Sequence, residues 1–448
     1  MNPIELVQQN RMKEKENLKR EIGIWGLSAN LVNIMVGAGI FVLPAIVAAG
    51  LGSASILAYL FCGFLITLVM LCFAEVGSKI TDTGGAYTYI EKSFGKYPGF
   101  ITAILFLLSA ITADAAVANA IADIAGSLFP FFKGILVKIL FFFTLFSGLA
   151  YINIIGLKKG VGFVKIITIL KIVPLLIIIL IGFKDVSITN LYWDSIPSIK
   201  NIGEISLILF FAFQGAETGL SISGEVRNPK KIIPKAIQLG IIGVLVIYIL
   251  IQTISQGILG DSLSTFQENP LAEVANQIFG PVGFTLITIG AAVSMFGNLS
   301  SEILSMPRVV FAASRDNVIP LKILSRVHEK YATPYVSIIV YASLGFIFAS
   351  FGGFKQLAII SSASILLIYF GVSLATIKLR KINNSVSDKN LFKIGGGYTV
   401  PILSSIVILW FLSNLTKNEF LGISLFIILL TIVFFLINSK KIKHLTKI

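Results

Sequence analysis

Leu31-Val32-Asn33-Ile34-Met35-Val36-Gly37-Ala38-Gly39-Ile40-Phe41-Val42-Leu43-Pro44-Ala45-Ile46-Val47-Ala48-Ala49 is long and apolar enough to cross a bilayer, yet Gly37-Ala38-Gly39 interrupts it near the middle. A second run, Ile205-Ser206-Leu207-Ile208-Leu209-Phe210-Phe211-Ala212-Phe213-Gln214-Gly215-Ala216-Glu217-Thr218-Gly219-Leu220-Ser221-Ile222-Ser223, is interrupted by Gln214-Gly215-Ala216-Glu217. A helix broken inside hydrocarbon releases N–H and C=O groups that lipid cannot satisfy. Polar partners must meet them, and a bound small molecule is one such partner.

The rest of the chain agrees with a membrane setting. Its 448 residues are 56% hydrophobic and 13% charged, with a mean hydropathy of +0.90, far too apolar for a soluble protein of this size. Measured against the roughly 20 residues that cross a bilayer, the apolar runs predict an all-α integral membrane protein with twelve spans. These are 24–49, 53–79, 98–128, 134–155, 160–182, 204–223, 235–258, 283–306, 334–351, 355–378, 399–415 and 420–438. The two broken runs are spans 1 and 6.

Net charge is +14, but its distribution points away from nucleic acid. With these spans, 29 of the 36 lysines and arginines fall on the termini and even-numbered connections or in the span ends that adjoin them. That asymmetry places both termini in the cytoplasm of a multi-pass protein of the cell membrane. Arg227-Lys230-Lys231-Lys235 and Lys378-Arg380-Lys381 read as topology signals, with anionic-lipid contact secondary. Cys62 and Cys72 are ten residues apart on one span, about 15 Å, too far for a disulfide. Neither His328 nor His444 lies in a span, so a histidine metal site is not expected and no cofactor is implied.

Five spans separate the two breaks, and the parity makes span 1 run outward and span 6 inward. Interrupted segments at matching positions of two halves point to a transporter's binding site. The expected organisation is a cytoplasmic segment 1–22, a first inverted repeat 23–182 (spans 1–5), a second 204–380 (spans 6–10), spans 11 and 12 at 398–438, and a cytoplasmic tail 439–448. Oligomeric state is not legible.

At Gly37-Ala38-Gly39-Ile40 small residues would let a ligand approach the backbone, where the N–H groups of the following half-helix suit a carboxylate. A GxG used only for close helix packing is the alternative, and Pro44 favours a distorted helix. In span 6, aromatic bulk precedes the break and Glu217 follows it. Unwound carbonyls there could accept from an ammonium, one phenylalanine could cover the ligand, and an intramembrane carboxyl is functional by default, although Glu217 could also just tie down the broken backbone. Lys171, mid-span in Ile169-Leu170-Lys171-Ile172-Val173, costs about 2.5–3.5 kcal/mol at the bilayer centre and must face a polar interior. Desolvation there would let it gain and lose a proton during transport; the alternative is a structural lysine paired with Asp114. Asp114 is open between that role, a side-chain site for a basic substrate and a helix contact. Asp123 is expected to be wet, and Glu75 interfacial and without a role.

Several segments resemble the amino acid, polyamine and organocation (APC) transporter family, which has the LeuT-type fold. They are Gly37-Ala38-Gly39-Ile40-Phe41, Phe73-Ala74-Glu75-Val76-Gly77 with Thr83-Gly84-Gly85-Ala86-Tyr87-Thr88-Tyr89, Phe211 to Glu217 with Glu225-Val226-Arg227-Asn228-Pro229, and Arg308-Val309 through Asp316 and Pro320. The resemblance implies amino acid transport by alternating access, with the substrate carboxylate on the Gly37, Ala38, Gly39 and Ile40 segment. It puts the substrate amino group near carbonyls of Met35, Phe211, Ala212 and Gln214, and Phe211 at the gating position. It further implies that Lys171 replaces bound sodium between spans 1, 5 and 8, with Ser294 as a loosely aligned partner; Lys171 and Glu217, ionisable groups inside spans, are the candidates for coupling to protons. Two departures bear on selectivity: Gln214 is more polar than usual, and Asp114 is unusual in span 3. The leading expectation is a sodium-independent amino acid transporter driven by protons or exchange; the alternative is an amine or basic amino acid antiporter. A channel lacks the polar stripe it would need, and an intramembrane enzyme lacks a nucleophile with its base.

Overall fold

A computed structural model describes residues 22–80, 85–156, 161–193, 195–219, 226–316, 318–319, 321–382 and 392–445. Residues 1–21, most of the expected N-terminal segment, lie outside the described residues, as do 446–448 of the tail and parts of the motifs at 83–84, 225 and 320. The described chain is helical throughout, its one β contact being an isolated bridge between Ile22 and Val226.

Span 1 is two half-helices, α1 (Ile24–Met35) and α2 (Gly39–Leu51). The following spans are α3 (Ile56–Lys79), then after the short α4 (Gly85–Phe94) come α5 (Lys96–Leu128), α6 (Ile135–Ile154) and α7 (Val161–Gly182). Span 6 is again divided, into α8 (Ile199–Leu209), one tight turn over Phe210–Phe213, and the short α9 (Ala216–Gly219). The rest are α10 (Pro229–Leu259), α11 (Pro270–Arg315), α12 (Tyr335–Phe351), α13 (Phe354–Ile382), α14 (Thr399–Ser413) and α15 (Lys417–Leu445). All twelve expected spans thus fall on helices among the described residues, eight stretches being long and apolar enough to cross a membrane, with α1, α12 and α14 as shorter apolar helices.

Two boundaries differ from the sequence expectation. α11 begins at Pro270 and turns at Gly280, whose φ of 68° only glycine adopts freely, so part of the expected connection 259–282 is helical. It also continues past Met306 to Arg315, through Pro307. Pro44 does not distort α2, which runs through it; the departure from helix comes earlier, at Val36 (φ −73°, ψ 84°).

Two groups of helices pack around the breaks. α10 packs along α1 and α3, and α3 along α8; α11 and α12 pack along α5, and α12 along α6. α13 joins the groups, packing on α5 and α3. Apolar side chains that find no partner inside, such as Leu136, Leu140 and Phe143 of α6 and Leu425, Leu429 and Ile432 of α15, are exposed, as a lipid-facing surface requires.

Candidate functional site

The two breaks meet. A Cβ built on Gly39 would stand 2.7 Å from the Ala212 Cβ, so a side chain here would drive the two interruptions apart. In the first break the Gly37 N–H turns back onto the Met35 carbonyl at 2.8 Å, and Phe41 donates to Ala38 at 3.1 Å. The amides of Ala38, Gly39 and Ile40 have no backbone acceptor among the described residues, as the opening turn of a helix leaves them. They carry the positive end of the α2 dipole. In the second break Gln214 is extended (ψ 162°) and Gly215 takes φ +95°, a conformation in which a side chain would be strained.

One phenol ties the breaks together. The Tyr248 hydroxyl, on α10 and fully buried, lies 2.7 Å from the Met35 carbonyl and 2.9 Å from the Ala212 carbonyl. It has one proton for two acceptors, so this is an electron-rich spot where another donor is welcome. The Gln214 amide is anchored to α13, its Oε1 accepting from Ser361 at 2.9 Å and its Nε2 donating to Ser362 at 2.9 Å.

Around the breaks lies a cavity of about 110 Å³, bordered by Met35, Gly37, Ala38 and Gly39, by Phe211, Ala212, Gln214 and Glu217, and by Asp114 of α5 and Asn298 and Glu302 of α11. A separate, open vestibule of about 930 Å³ is lined by Val42, Asp123, Lys133, Glu268, Phe354 and Lys355, among others. Phe354 borders the vestibule, Phe211 borders the inner cavity, and their rings meet edge to face at 5.5 Å between centroids. The aromatic pair stands between the two spaces.

The intramembrane charges are placed as follows. Lys171 is 7% exposed and donates to the carbonyl of Asn33, in the last turn of α1. It is not paired with Asp114, which is instead held by the Tyr341 hydroxyl of α12 at 2.8 Å. Depth along a span says nothing about which way a side chain points around the helix, and here the two face different neighbours. Ser294 does not bond Lys171 either; its buried hydroxyl has no partner among the described residues. Glu217 accepts a hydrogen bond from Tyr369 of α13. Glu75, near the end of its span, is fully buried within the protein and bonds Lys79, Arg380 and the Ile394 amide. Arg380, read as a topology charge, is its partner and is 4% exposed. Asp123, expected to be wet, is partly exposed and pairs with Lys138 at 2.6 Å.

The structure thus brings Met35, Gly37, Ala38, Gly39, Phe211, Ala212, Gln214, Asp114 and Glu217 to one cavity, with Ile40 in the turn behind it and Lys171 beside α1. Sequence reasoning missed two contributors. Glu302 sits within an expected span and satisfies the same rule that singles out Glu217. Tyr248, in Val246-Ile247-Tyr248-Ile249, carries no signal that separates it from a packed core aromatic.

Comparisons with known proteins place these features in a family. The family model described as amino acid permease matches residues 22–416. The serine/threonine exchanger SteT of Bacillus subtilis is 32% identical over 399 residues, covering 87% of this chain and 90% of that protein. The branched-chain amino acid permease BcaP of Bacillus subtilis is 25% identical over 96% of this chain and 95% of its own. An arginine/ornithine antiporter of Pseudomonas aeruginosa is 29% identical over 69% of this chain and 66% of its own.

Proposed function

The chain belongs to the amino acid permease family, and on that premise we propose that it carries amino acids across the cell membrane by alternating access, without sodium, driven by protons or by exchange. The observation that carries this reading is the meeting of two oppositely directed helix breaks at one cavity. One break offers free amides and the other offers carbonyls, which is the polarity of a zwitterion. The substrate carboxylate binds the amides of Ala38, Gly39 and Ile40 at the start of α2. Its ammonium binds at the Met35 and Ala212 carbonyls, sharing them with the Tyr248 hydroxyl.

Phe211 and Phe354 form the gate between the cavity and an extracellular vestibule. Lys171, bonded to the Asn33 carbonyl, occupies the place of a coupling cation and links protonation to the position of α1. Glu217 is a second candidate proton carrier. Spans 1–5 and 6–10 form two inverted repeats, a division supported by the packing of α3 on α10, α5 on α11 and α6 on α12, each pair five spans apart. Both termini face the cytoplasm, consistent with the lysine and arginine bias.

Purified protein in liposomes, tested for uptake of labelled amino acids with and without an inward proton gradient, checks the proposal. Saturable uptake supports it; absence of saturable uptake for every amino acid overturns it. Asp114 and Glu217 in the cavity favour, as a second reading, an amine or basic amino acid antiporter.

A further inference from the structure

The second break is held at two points, from two different helices. Tyr248 of α10 reaches the Ala212 carbonyl at 2.9 Å. Two residues further on, the Gln214 side chain crosses to α13, where Ser361 donates to its Oε1 and Ser362 accepts from its Nε2, both at 2.9 Å. The backbone here has left the helical ladder, with Gln214 extended and Gly215 at φ +95°, so side-chain tethers supply the restraint that the ladder supplies elsewhere. The two tethers are unequal. Tyr248 shares its single proton with the Met35 carbonyl, and a substrate ammonium at these carbonyls would compete with it. The Gln214 tether uses neither carbonyl, so it holds the break whether the site is full or empty.

Ser361 and Ser362 are fully buried and do not border the cavity, whereas Gln214 does. Ser361 has two acceptors within reach, the Gln214 Oε1 at 2.9 Å and the Ser109 carbonyl of α5 at 3.0 Å, and one proton to give. The Ser109 carbonyl has other donors, since the Thr112 hydroxyl lies 3.2 Å away and the helix ladder of α5 runs past it. Among the described residues the Gln214 Oε1 has Ser361 alone. The proton therefore belongs at Gln214. The Ser109 hydroxyl, 3.2 Å from the Ser361 Oγ, is then placed to donate to it. The result is a relay from Ser109 through Ser361 to Gln214, whose members strengthen one another in a dry interior. It fastens the second break to both α5 and α13.

α13 touches the same break a second time. Phe354 precedes Ser361 by seven residues, two turns of helix and so on the same face. Its ring meets Phe211, which precedes Gln214 by three. One face of α13 thus docks the break at an aromatic contact and at a polar one. Resting on the reading of this cavity as an amino acid site, we propose that Ser361 is a positioning residue for transport. It does not touch the substrate. Acting through Gln214, it keeps the Ala212 carbonyl aimed at the substrate ammonium and Phe211 in register with Phe354, and Ser109 orients the hydroxyl that does so.

The test is a double-mutant cycle on uptake kinetics in proteoliposomes, with melting temperatures read alongside. The probe is whichever labelled standard amino acid the wild-type protein takes up fastest. Ser361→Ala is expected to raise KM about five- to tenfold, the size of a lost buried hydrogen bond, with the maximal rate within about twofold, as loss of binding alone requires. Ser361→Cys fills the same space with a weak donor and should raise KM equally; it carries the cycle if Ser361→Ala is not recovered folded. Gln214→Leu should raise KM as well, and in that background the Ser361 substitution should add nothing. Ser373→Ala is the control on the same helix, since it removes a hydroxyl pair with Ser404 away from the break; it should lower the melting temperature and leave KM unchanged. A wild-type KM in Ser361→Ala, or one restored by cysteine, would overturn the inference and leave amino acid transport standing. So would additive effects of Ser361 and Gln214, or a KM raised as far by Ser373→Ala. Absence of saturable uptake of every amino acid by the wild type would overturn the transport reading itself.

Discussion

Gly39 and Ala212 meet so closely that a methyl group on the glycine would fall 2.7 Å from the alanine Cβ and 3.0 Å from its Cα. They belong to different broken helices, and nothing between them can give way cheaply, because one of the atoms is backbone. Gly39→Ala must therefore push α2 from the Phe210–Phe213 turn and widen the cavity at the free amides. Overpacking of this kind costs about 1–3 kcal/mol. The variant is expected to melt lower in detergent and to lose most amino acid uptake, whereas Gly23→Ala, where no atom lies within 4 Å, should do neither.

Tyr248→Phe leaves the Ala212 carbonyl without its donor and the Met35 carbonyl with the Gly37 N–H alone. Unsatisfied buried acceptors cost about 1–3 kcal/mol, so the ligand-free protein should lose thermal stability. A substrate ammonium would restore what the phenol supplied. The stabilisation gained on adding substrate is therefore expected to be larger in the variant than in the wild type, read as the shift in melting temperature at saturating ligand. An equal shift in both would separate the ammonium from these carbonyls.

Much of this arrangement is legible in the chain because hydrocarbon leaves few options. Apolar length identifies the spans, and Gly37-Ala38-Gly39 and Gln214-Gly215 stand out because little else interrupts such runs. Lys171, Asp114 and Glu217 stand out because charge inside a span is rare. Direction around a helix is not legible: Asp114 and Lys171 share a depth, yet one meets Tyr341 and the other the Asn33 carbonyl. Tyr248 is hidden for a different reason, since a tyrosine that bridges two carbonyls and one that merely packs have the same sequence surroundings. Glu75 and Arg380 lie near span ends, where charge is ordinary, and only the packing of α3 against α13 shows that they are sealed from water.

Lys171→Met tests the coupling role. Its amine holds the last turn of α1 through a backbone carbonyl, a contact that the charged ammonium makes more strongly than the neutral amine. The thioether cannot titrate, so uptake by Lys171→Met is expected to lose its dependence on pH while retaining some substrate binding. Initial rates over a pH series, with binding measured separately, provide the comparison; wild-type pH dependence in the variant would make Lys171 structural.

Phe211→Ala removes the edge-to-face contact with Phe354. Such a pair is worth about 0.5–1.5 kcal/mol beyond its buried area, enough to favour closure without locking it. The variant should bind substrate more weakly and release preloaded label faster from the vestibule side. A KM raised several-fold with an undiminished maximal rate would fit a lost lid, and an unchanged KM would show that the pair does not close over the ligand.

Glu75 and Arg380 make the most deeply buried ion pair among the described residues, with the carboxylate also accepting from Lys79 at 2.8 Å and from the Ile394 amide at 2.9 Å. The pair joins α3 to α13 and to the chain that follows α13. Removing one member strands the other charge, at a cost of about 3–5 kcal/mol, whereas replacing both by apolar residues of similar volume is often neutral. Glu75→Gln and Arg380→Met are therefore each expected to lower the melting temperature strongly, and the double variant Glu75→Leu, Arg380→Met to recover only part of the loss, because Lys79 is left without its carboxylate there as well. Lys79 bears on the outcome, because in Glu75→Gln it too loses its partner and at 9% side-chain exposure has little water to turn to. If the double variant regains stability but transports slowly, the pair governs movement of α3 against α13; if it regains both, the pair serves only to seal the charges it brings together.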